Sequence, residues 1–240
     1  MLKNILIIFT VVFLLANSPS LAHPFRVGEK LSYTIKLMGI PAGEQILEIK
    51  DIIEEDTRSL YVLSSTVRST GIVSLFFQME DKIESHVDVK TLYPRFVRIK
   101  IKENSRVEDI EVKIEEGDSI KATLYDKKRE REWIEKIAST PLDILSLVYW
   151  IRNQELEVGK KFDVLLLDIP GSFKEIQFEV SGVEKAYTYL GTFPAFVCKQ
   201  LETDNPIRVW ISQDERRLPL YIQVTTSFGL LTAILRDVQS

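Results

Sequence analysis

Few side chains in this sequence are equipped for chemistry. Among 240 residues there are two histidines, His23 and His86, and one cysteine, Cys198. A Ser-His-Asp triad would have to recruit His86, and no G-x-S-x-G elbow, G-x-G-x-x-G turn or phosphate loop accompanies it. Glu84, His86 and Asp88 recur at i, i+2 and i+4, which puts three metal-capable groups on one face of a strand. Lys82 and Lys90 share that face while Ile83, Val87 and Val89 take the other, so a solvated charged face is the simpler account. His23 would become the first residue if a leader were cut after Ala22, and an amine beside an imidazole suits copper. Its second histidine would be His86, which no motif supports, so the arrangement reads as accident.

The remaining candidates are equally bland. Glu54-Glu55-Asp56 and Glu115-Glu116 fall in turns, whereas glycoside cleavage needs two carboxylates at a set separation across a cleft. Asp126 to Glu132 is a mixed-charge run that reads as an exposed connector. Cys198 sits in an alternating segment as a small buried hydrophobe. No catalytic residue, no metal site and no cofactor follows. The expectation is a protein that acts without chemistry, with an envelope hydrolase using carboxylates as the remaining enzymatic class.

Composition narrows the classes further. Hydrophobic residues make up 45% and charged residues 28%, enough apolar matter to offset the entropy of ordering. A formal net charge of −4 argues against nucleic acid, which demands a basic face. With one cysteine there is no disulfide within the chain, and a domain of this size needs none. Lys3, the apolar run Ile5 to Ala16, the break at Asn17-Ser18-Pro19 and the small residues of Ser20-Leu21-Ala22 spell an export signal over residues 1–22. The run is shorter than the roughly 20 residues a spanning helix needs. An uncleaved anchor is the alternative, and no cysteine follows for lipid attachment. The expected location is the periplasm, with residues 23–240 as one domain and no stable membrane span after cleavage.

The elements follow from periodicity. Leu31, Tyr33, Ile35 and Leu37 alternate with Ser32, Thr34 and Lys36, as a half-buried strand requires. The turn Gly39-Ile40-Pro41-Ala42-Gly43 leads to a strand reaching about Ile53, and Leu60 to Val67 reads as a third. Val97, Ile99 and Ile101, then Ile110, Val112 and Ile114, then Ile120, Ala122 and Leu124 form a meander whose outer charges can pair across strands. Further strands run over residues 162–167, 176–180, 193–201, 207–212, 218–226 and 230–235. Thr140-Pro141-Leu142-Asp143 opens a helix over residues 141–154, with the Thr140 hydroxyl as N-cap and Pro141 at the first position. Val27-Gly28-Glu29-Lys30-Leu31 and Val158-Gly159-Lys160-Lys161-Phe162 look alike, each followed by an Ile-Pro pair, but the match is short and needs a gap, so chance is the simpler account.

Twelve or so antiparallel strands cannot stay a flat sheet. The expected fold is mainly β: a curved antiparallel sheet forming a half-open β-barrel, with one helix packed at or in the hollow. The run Ile72-Val73-Ser74-Leu75-Phe76-Phe77 is either core or the lip of an apolar cavity. Candidate lining residues for an apolar ligand are Phe76, Phe77, Leu145, Tyr149 and Trp210, all of which could equally be core.

Several fragments occur in a telling order. They are Gly28-Glu29-Lys30-Leu31-Ser32-Tyr33, Gly39 to Gly43, Leu75-Phe76 with Asp81 and Ser85, and Asp88 to Pro94. Then come Asp143 to Arg152, Leu156 to Gly159, Gly191-Thr192-Phe193, Val209 to Asp214 and Arg217-Leu218-Pro219. Together they resemble the bacterial exported family known as domain of unknown function 3108, over about Val27 to Leu235. That family carries no activity to transfer. The Trp210-Ile211-Ser212 strand, the Asp214 turn and the Leu218-Pro219 return are also similar to a hairpin of periplasmic lipoprotein carriers, which are unclosed barrels with helices over an apolar hollow. What this resemblance implies is a periplasmic binding or carrier module for a lipid or other apolar small molecule. The alternative is an envelope scaffold with a solid core, holding envelope proteins by an edge strand or outer face.

Overall fold

The structure, a computed structural model, describes residues 23–168, 171–204, 206–226 and 229–240. The expected export signal, residues 1–22, lies outside them. Alternation lays down a first meander: β1 (Lys30–Leu37), β2 (Ile40–Glu55), β3 (Arg58–Ser69), β4 (Glu80–Asp88), β5 (Pro94–Glu103), β6 (Arg106–Glu116), β7 (Ile120–Asp126) and β8 (Arg131–Ile137). After β9 (Leu142–Asp143) and a helix comes a second meander: β10 (Lys161–Asp168), β11 (Ser172–Thr188), β12 (Gly191–Gln200), β13 (Arg208–Ser212), β14 (Pro219–Thr226) and β15 (Gly229–Gln239). β15 returns to pair with β1, so all fifteen strands form one sheet with β8 and β9 at its free ends. Every pairing is antiparallel except that of β9 with β10.

The outer charges pair as the alternation leads one to expect. Arg98 on β5 reaches Asp109 (3.3 Å) and Glu111 (3.5 Å) on β6, while Val97, Val112 and Leu124 line up on the buried face. Each such exposed pair contributes little, on the order of 0.2–1 kcal/mol, so the buried face does most of the stabilising. The sheet then curls until its ends meet. Leu167 of β10 is buried among Ile99, Ile110, Val112 and Leu124, and Gly171 lies so close to Leu124 that a Cβ there would stand 3.1 Å from its Cδ2. No ladder joins β8 to β9, so the barrel stays half open, the architecture expected of a long antiparallel sheet.

Two helices accompany the sheet, where one was expected. α1 (Val73–Phe76) forms a single turn inside the apolar run between β3 and β4. α2 (Ile144–Arg152) is shorter than the predicted span 141–154 and starts later. The reason is that Asp143, not Thr140, is the N-cap. Its carboxylate Oδ1 accepts from the backbone N–H of Leu145 (2.9 Å) and Ser146 (3.3 Å), and Ser146 Oγ accepts from the Asp143 N–H (2.9 Å). Leu142 and Asp143 are thereby left extended to pair with Leu166 and Leu167. The Thr140 hydroxyl donates instead to Glu116 (2.8 Å). α2 is apolar nearly all round, and such a helix must be buried. Leu145, Val148 and Tyr149 pack against β1–β3 and β15, and Leu147 and Ile151 against β10–β13. It fills much of the hollow.

The likeness of the two Val-Gly fragments is structural. Gly28 and Gly159 both take left-handed backbone, with φ of 89° and 91°. Gly28 donates to Ile49 and Ile49 to Glu29; at a constant offset, Gly159 donates to Val180 and Val180 to Lys160. Lys30 pairs with Glu48 as Lys161 pairs with Glu179, and both second strands bulge at the next step, between Ile49 and Asp51 and between Val180 and Gly182. Identical registers and bulges in both meanders do not arise from a chance match of five residues. The second Ile-Pro pair lies outside the described residues.

Candidate ligand cavity and the supports of the helix

Between α2 and the concave side of β2–β5 lies a cavity of about 180 Å³. Leu47, Val67, Ile83, Ile99 and Ile101 form its sheet wall, Ile144, Leu145 and Val148 its helix wall, and Ile222 of β14 closes it from the second meander. Gln45, Ser65, Asp81 and Lys100 are its polar rim. The Gln45 amide donates to Ser65 Oγ (3.2 Å), so that pair satisfies itself rather than facing inward unmade. Asp81 is more telling. It accepts from the Lys102 N–H (3.1 Å), yet partial burial, aided by neighbouring Glu103, raises its carboxyl to about 6. Near neutrality the rim therefore carries one carboxylate with reduced preference for its charge.

The five predicted lining residues do not converge. Leu145 lines the cavity. Tyr149 is fully buried on the other side of α2, against Phe25 (centroids 5.2 Å apart). Trp210 lies edge-on to Tyr221 and donates through Nε1 to Glu184 (2.9 Å), on the face of β13 opposite Val209 and Ile211. Phe76 stands in solvent on α1, and Phe77 beside it is half-buried. The cavity wall that sequence reasoning missed comes from Leu47, Val67, Ile83 and Ile101, four strands whose convergence only the register reveals. The helix side was legible, because Ile144, Leu145 and Val148 stood out as an apolar face.

The buried ionic contacts hold α2 rather than a ligand. Arg152, at its last turn, is wholly buried and clasps Glu29 through two bonds (2.6 and 2.9 Å). Its remaining N–H groups donate to the carbonyls of Arg217 (3.0 Å), Arg216 (3.2 Å) and Pro24 (3.5 Å), and its plane stacks over Phe25 and Tyr149. Tyr33 donates to the Pro219 carbonyl (2.8 Å) beside it, and burial raises the phenol well above its usual range. His23 is equally committed: Nε2 donates to the Val89 carbonyl (2.7 Å) and Nδ1 faces Asn153 Oδ1 (3.0 Å).

The other chemical candidates fall apart in space. His86 sits against Glu84 (3.3 Å) and Phe96, whereas Asp88 turns inward to cap the Lys90 and Thr91 N–H groups. A bulge between His86 and Val87 breaks the face that spacing alone had placed them on. Among the described residues no three His, Cys, Asp or Glu side chains are grouped to hold a metal. Cys198 is buried, and burial pushes its thiol up to about 12, outweighing the opposing pull of Arg217. The largest concavity, about 790 Å³, is a polar groove at the charged end of β2–β7, where Arg95 (2.6 Å) and Arg58 (3.5 Å) both grip Glu116. Its charges neutralise one another.

With this geometry in place, the comparisons speak mainly to fold. The family described as "Protein of unknown function (DUF3108)" matches residues 32–236. The chain belongs to this family. A beta-barrel-like protein of domain of unknown function DUF1849 from Brucella abortus is similar at 9% identity and a TM-score of 0.56, over 89% of this chain and 97% of that one. It supports the same barrel-like fold for this DUF3108 chain. Two further structures are more distant. One is described as a putative exported protein with YmcC-like fold from Bacteroides fragilis, with 9% identity, TM-score 0.34, and coverage of 91% and 98%. The other is a DUF1089 family protein from Pseudomonas aeruginosa, with 12% identity, TM-score 0.37, and coverage of 73% and 86%. No curated protein matches the chain.

Proposed function

We propose that this DUF3108 protein is an exported, non-enzymatic binding or carrier module for a lipid or other apolar ligand of the cell envelope. The observation that carries the reading is the apolar cavity between α2 and the sheet wall, with its nine apolar side chains and self-satisfied rim. At about 30 Å³ per water-sized group, 180 Å³ admits roughly six such groups. Six methylenes buried at about 0.8 kcal/mol each contribute about 5 kcal/mol, a dissociation constant of order 10⁻⁴ M from the chain segment alone. The shifted titratable groups also favour binding over chemistry. Asp143, Tyr33 and Cys198 are each displaced by burial at separate points of the fold, with no shared cleft between them.

The test is uptake of a fluorescent fatty acyl probe, with native mass spectrometry and lipid extraction of the protein as isolated. Stoichiometric uptake that Val148→Trp abolishes, with the melting transition intact, supports the carrier. A bare mass and no uptake sinks it. That outcome favours the envelope scaffold, whose specific support is the three apolar clusters that occupy the interior. Export is read from residues 1–22; no helix among the described residues is long and apolar enough to cross a membrane.

A further inference from the structure

Three turns meet at one end of the sheet: β1–β2, β3–β4 with α1, and β14–β15. They are neighbours because β4, β3, β2, β1, β15 and β14 are consecutive in the sheet. Met38 donates to the Leu230 carbonyl (2.9 Å) and Thr70 to that of Ala42 (2.9 Å), tying the turns together. No charged residue occurs from Leu37 to Gly43, from Ser69 to Met79, or from Val224 to Leu235. The opposite ends of the same strands carry Glu54-Glu55-Asp56, Asp88 with Lys90, and Asp214 to Arg217. Charge also returns on either side along the same rim, with Glu103 and Arg106 after β5 and Glu202 and Asp204 after β12.

The uncharged turns are exposed. Ile72, Leu75 and Phe76 stand at i, i+3 and i+4, one face of α1, and are 76%, 78% and 81% exposed. Met38 and Ile40 beside them are 72% and 66% exposed. α1 is a formed turn, closed by the Phe77 N–H on the Val73 carbonyl and by Ser74 Oγ on that of Gly71. It therefore holds its apolar face outward, the reverse of what folding alone favours.

We propose that this end of the molecule docks on a lipid bilayer, with Ile72, Leu75 and Phe76 among the acyl chains and Met38 and Ile40 at their boundary. The charge pattern selects this occupant. A bilayer penalises charge over the whole inserted surface, and three separate turns lack it together. A protein interface has a polar, charged rim within its own footprint. The formal charge of −4 further means that anionic headgroups are not the attraction, so neutral lipid suffices and salt has little effect. Val67, Asp81 and Ile101 of the cavity lie at the α1 ends of β3, β4 and β5, so docking turns that side of the cavity toward the membrane. Docking does not depend on what the cavity holds.

The experiment uses the full chain as recovered from expressing cells, floated with phosphatidylcholine vesicles at low and high salt. Its variants share its N-terminus, so differences among them read the patch. The wild type is expected to float, and the triple variant Ile72→Asn, Leu75→Asn, Phe76→Asn to partition at least tenfold less with an unchanged melting transition. Phe76→Trp is the second readout, which serves even if the triple variant fails to fold: its added emission is quenched by acyl-brominated lipid. No quenching at Trp in position 76 overturns the proposal, as does equal flotation of a folded triple variant. A lipid-free dimer that the triple variant dissolves also overturns it, placing a second copy on the patch. Acyl-probe uptake is measured in parallel, so loss of docking with uptake retained separates this inference from the carrier reading.

Discussion

Arg152→Met should be the most damaging substitution that leaves the apolar core intact. Both partners are buried, so solvent screens neither charge: Arg152 is inaccessible and the Glu29 side chain 6% exposed. The methionine keeps the stem's packing over Phe25 and Tyr149 but strands the Glu29 carboxylate and removes the donor to three carbonyls, those of Pro24, Arg216 and Arg217. Removing one member of a buried pair costs about 3–5 kcal/mol, a third or more of the roughly 5–15 kcal/mol that holds a domain together. With a urea slope near 2 kcal/mol per molar, the midpoint should fall by about 1.5–2.5 M. Tryptophan emission is a suitable signal, because Trp150 lies on α2 itself, edge-on to Phe162. Glu29→Gln together with Arg152→Met should be less damaging than the two single changes added, by about 1–3 kcal/mol, since no charge is then left unpaired. A loss below about 1 kcal/mol for the single variant, or strict additivity in the pair, refutes the claim that this contact anchors the helix.

Three further outcomes follow from single residues. Asp81 binds its proton more tightly folded (about 6) than unfolded, so stability falls as pH rises from about 4 to 6; Asp81→Asn should flatten that slope and add about 1–2 kcal/mol above pH 6, after discounting for its partial exposure, by urea titration across pH. Gly43→Ala would set a Cβ 2.4 Å from the Arg68 carbonyl oxygen, backbone that has no freedom to yield, and should cost about 1–3 kcal/mol with a lower melting temperature. The Cys198 thiol, held near 12 and buried, should react with a disulfide reagent at pH 8 only at the rate of unfolding, and rapidly in denaturant.

The sheet was readable because its strands obey one rule with few exceptions. Where one face is wet, as in β5 to β7, alternation alone gave strand, register and charge pairing. Where both faces are covered the rule goes silent. β13 is buried at Val209, Trp210, Ile211 and Ser212 alike, so nothing in the sequence told which way Trp210 points. The helix start was misplaced because Thr140-Pro141 and Asp143 are both good opening signals, and the choice between them is made by β10, which captures Leu142 and Asp143 as a strand. The apolar run at residues 72–77 misled differently. Hydrophobicity says that a segment avoids water when it can, not that this fold offers it shelter.

The residues that carried the family resemblance turn out to be largely those that hold α2 and the turns. Glu29 grips Arg152, Asp143 caps the helix, Asp88 caps the β4–β5 turn, and Ser212 accepts from the Leu218 N–H while donating to Asp214. None of them faces the cavity, whose walls are interchangeable aliphatics. That division is what a binding protein of this kind requires. A site that recognises apolar surface needs shape but no particular side chain. A helix inserted into an unclosed sheet needs a buried, directional clasp to stay there. Such a clasp tolerates little change, because the guanidinium and its carboxylate must both be present and both be dry. The duplicated entries at Gly28 and Gly159 fit the same logic. Each starts a meander that cannot bury its concave face alone, and α2, covered by Leu47 from one and Val209 from the other, is where the two faces are closed.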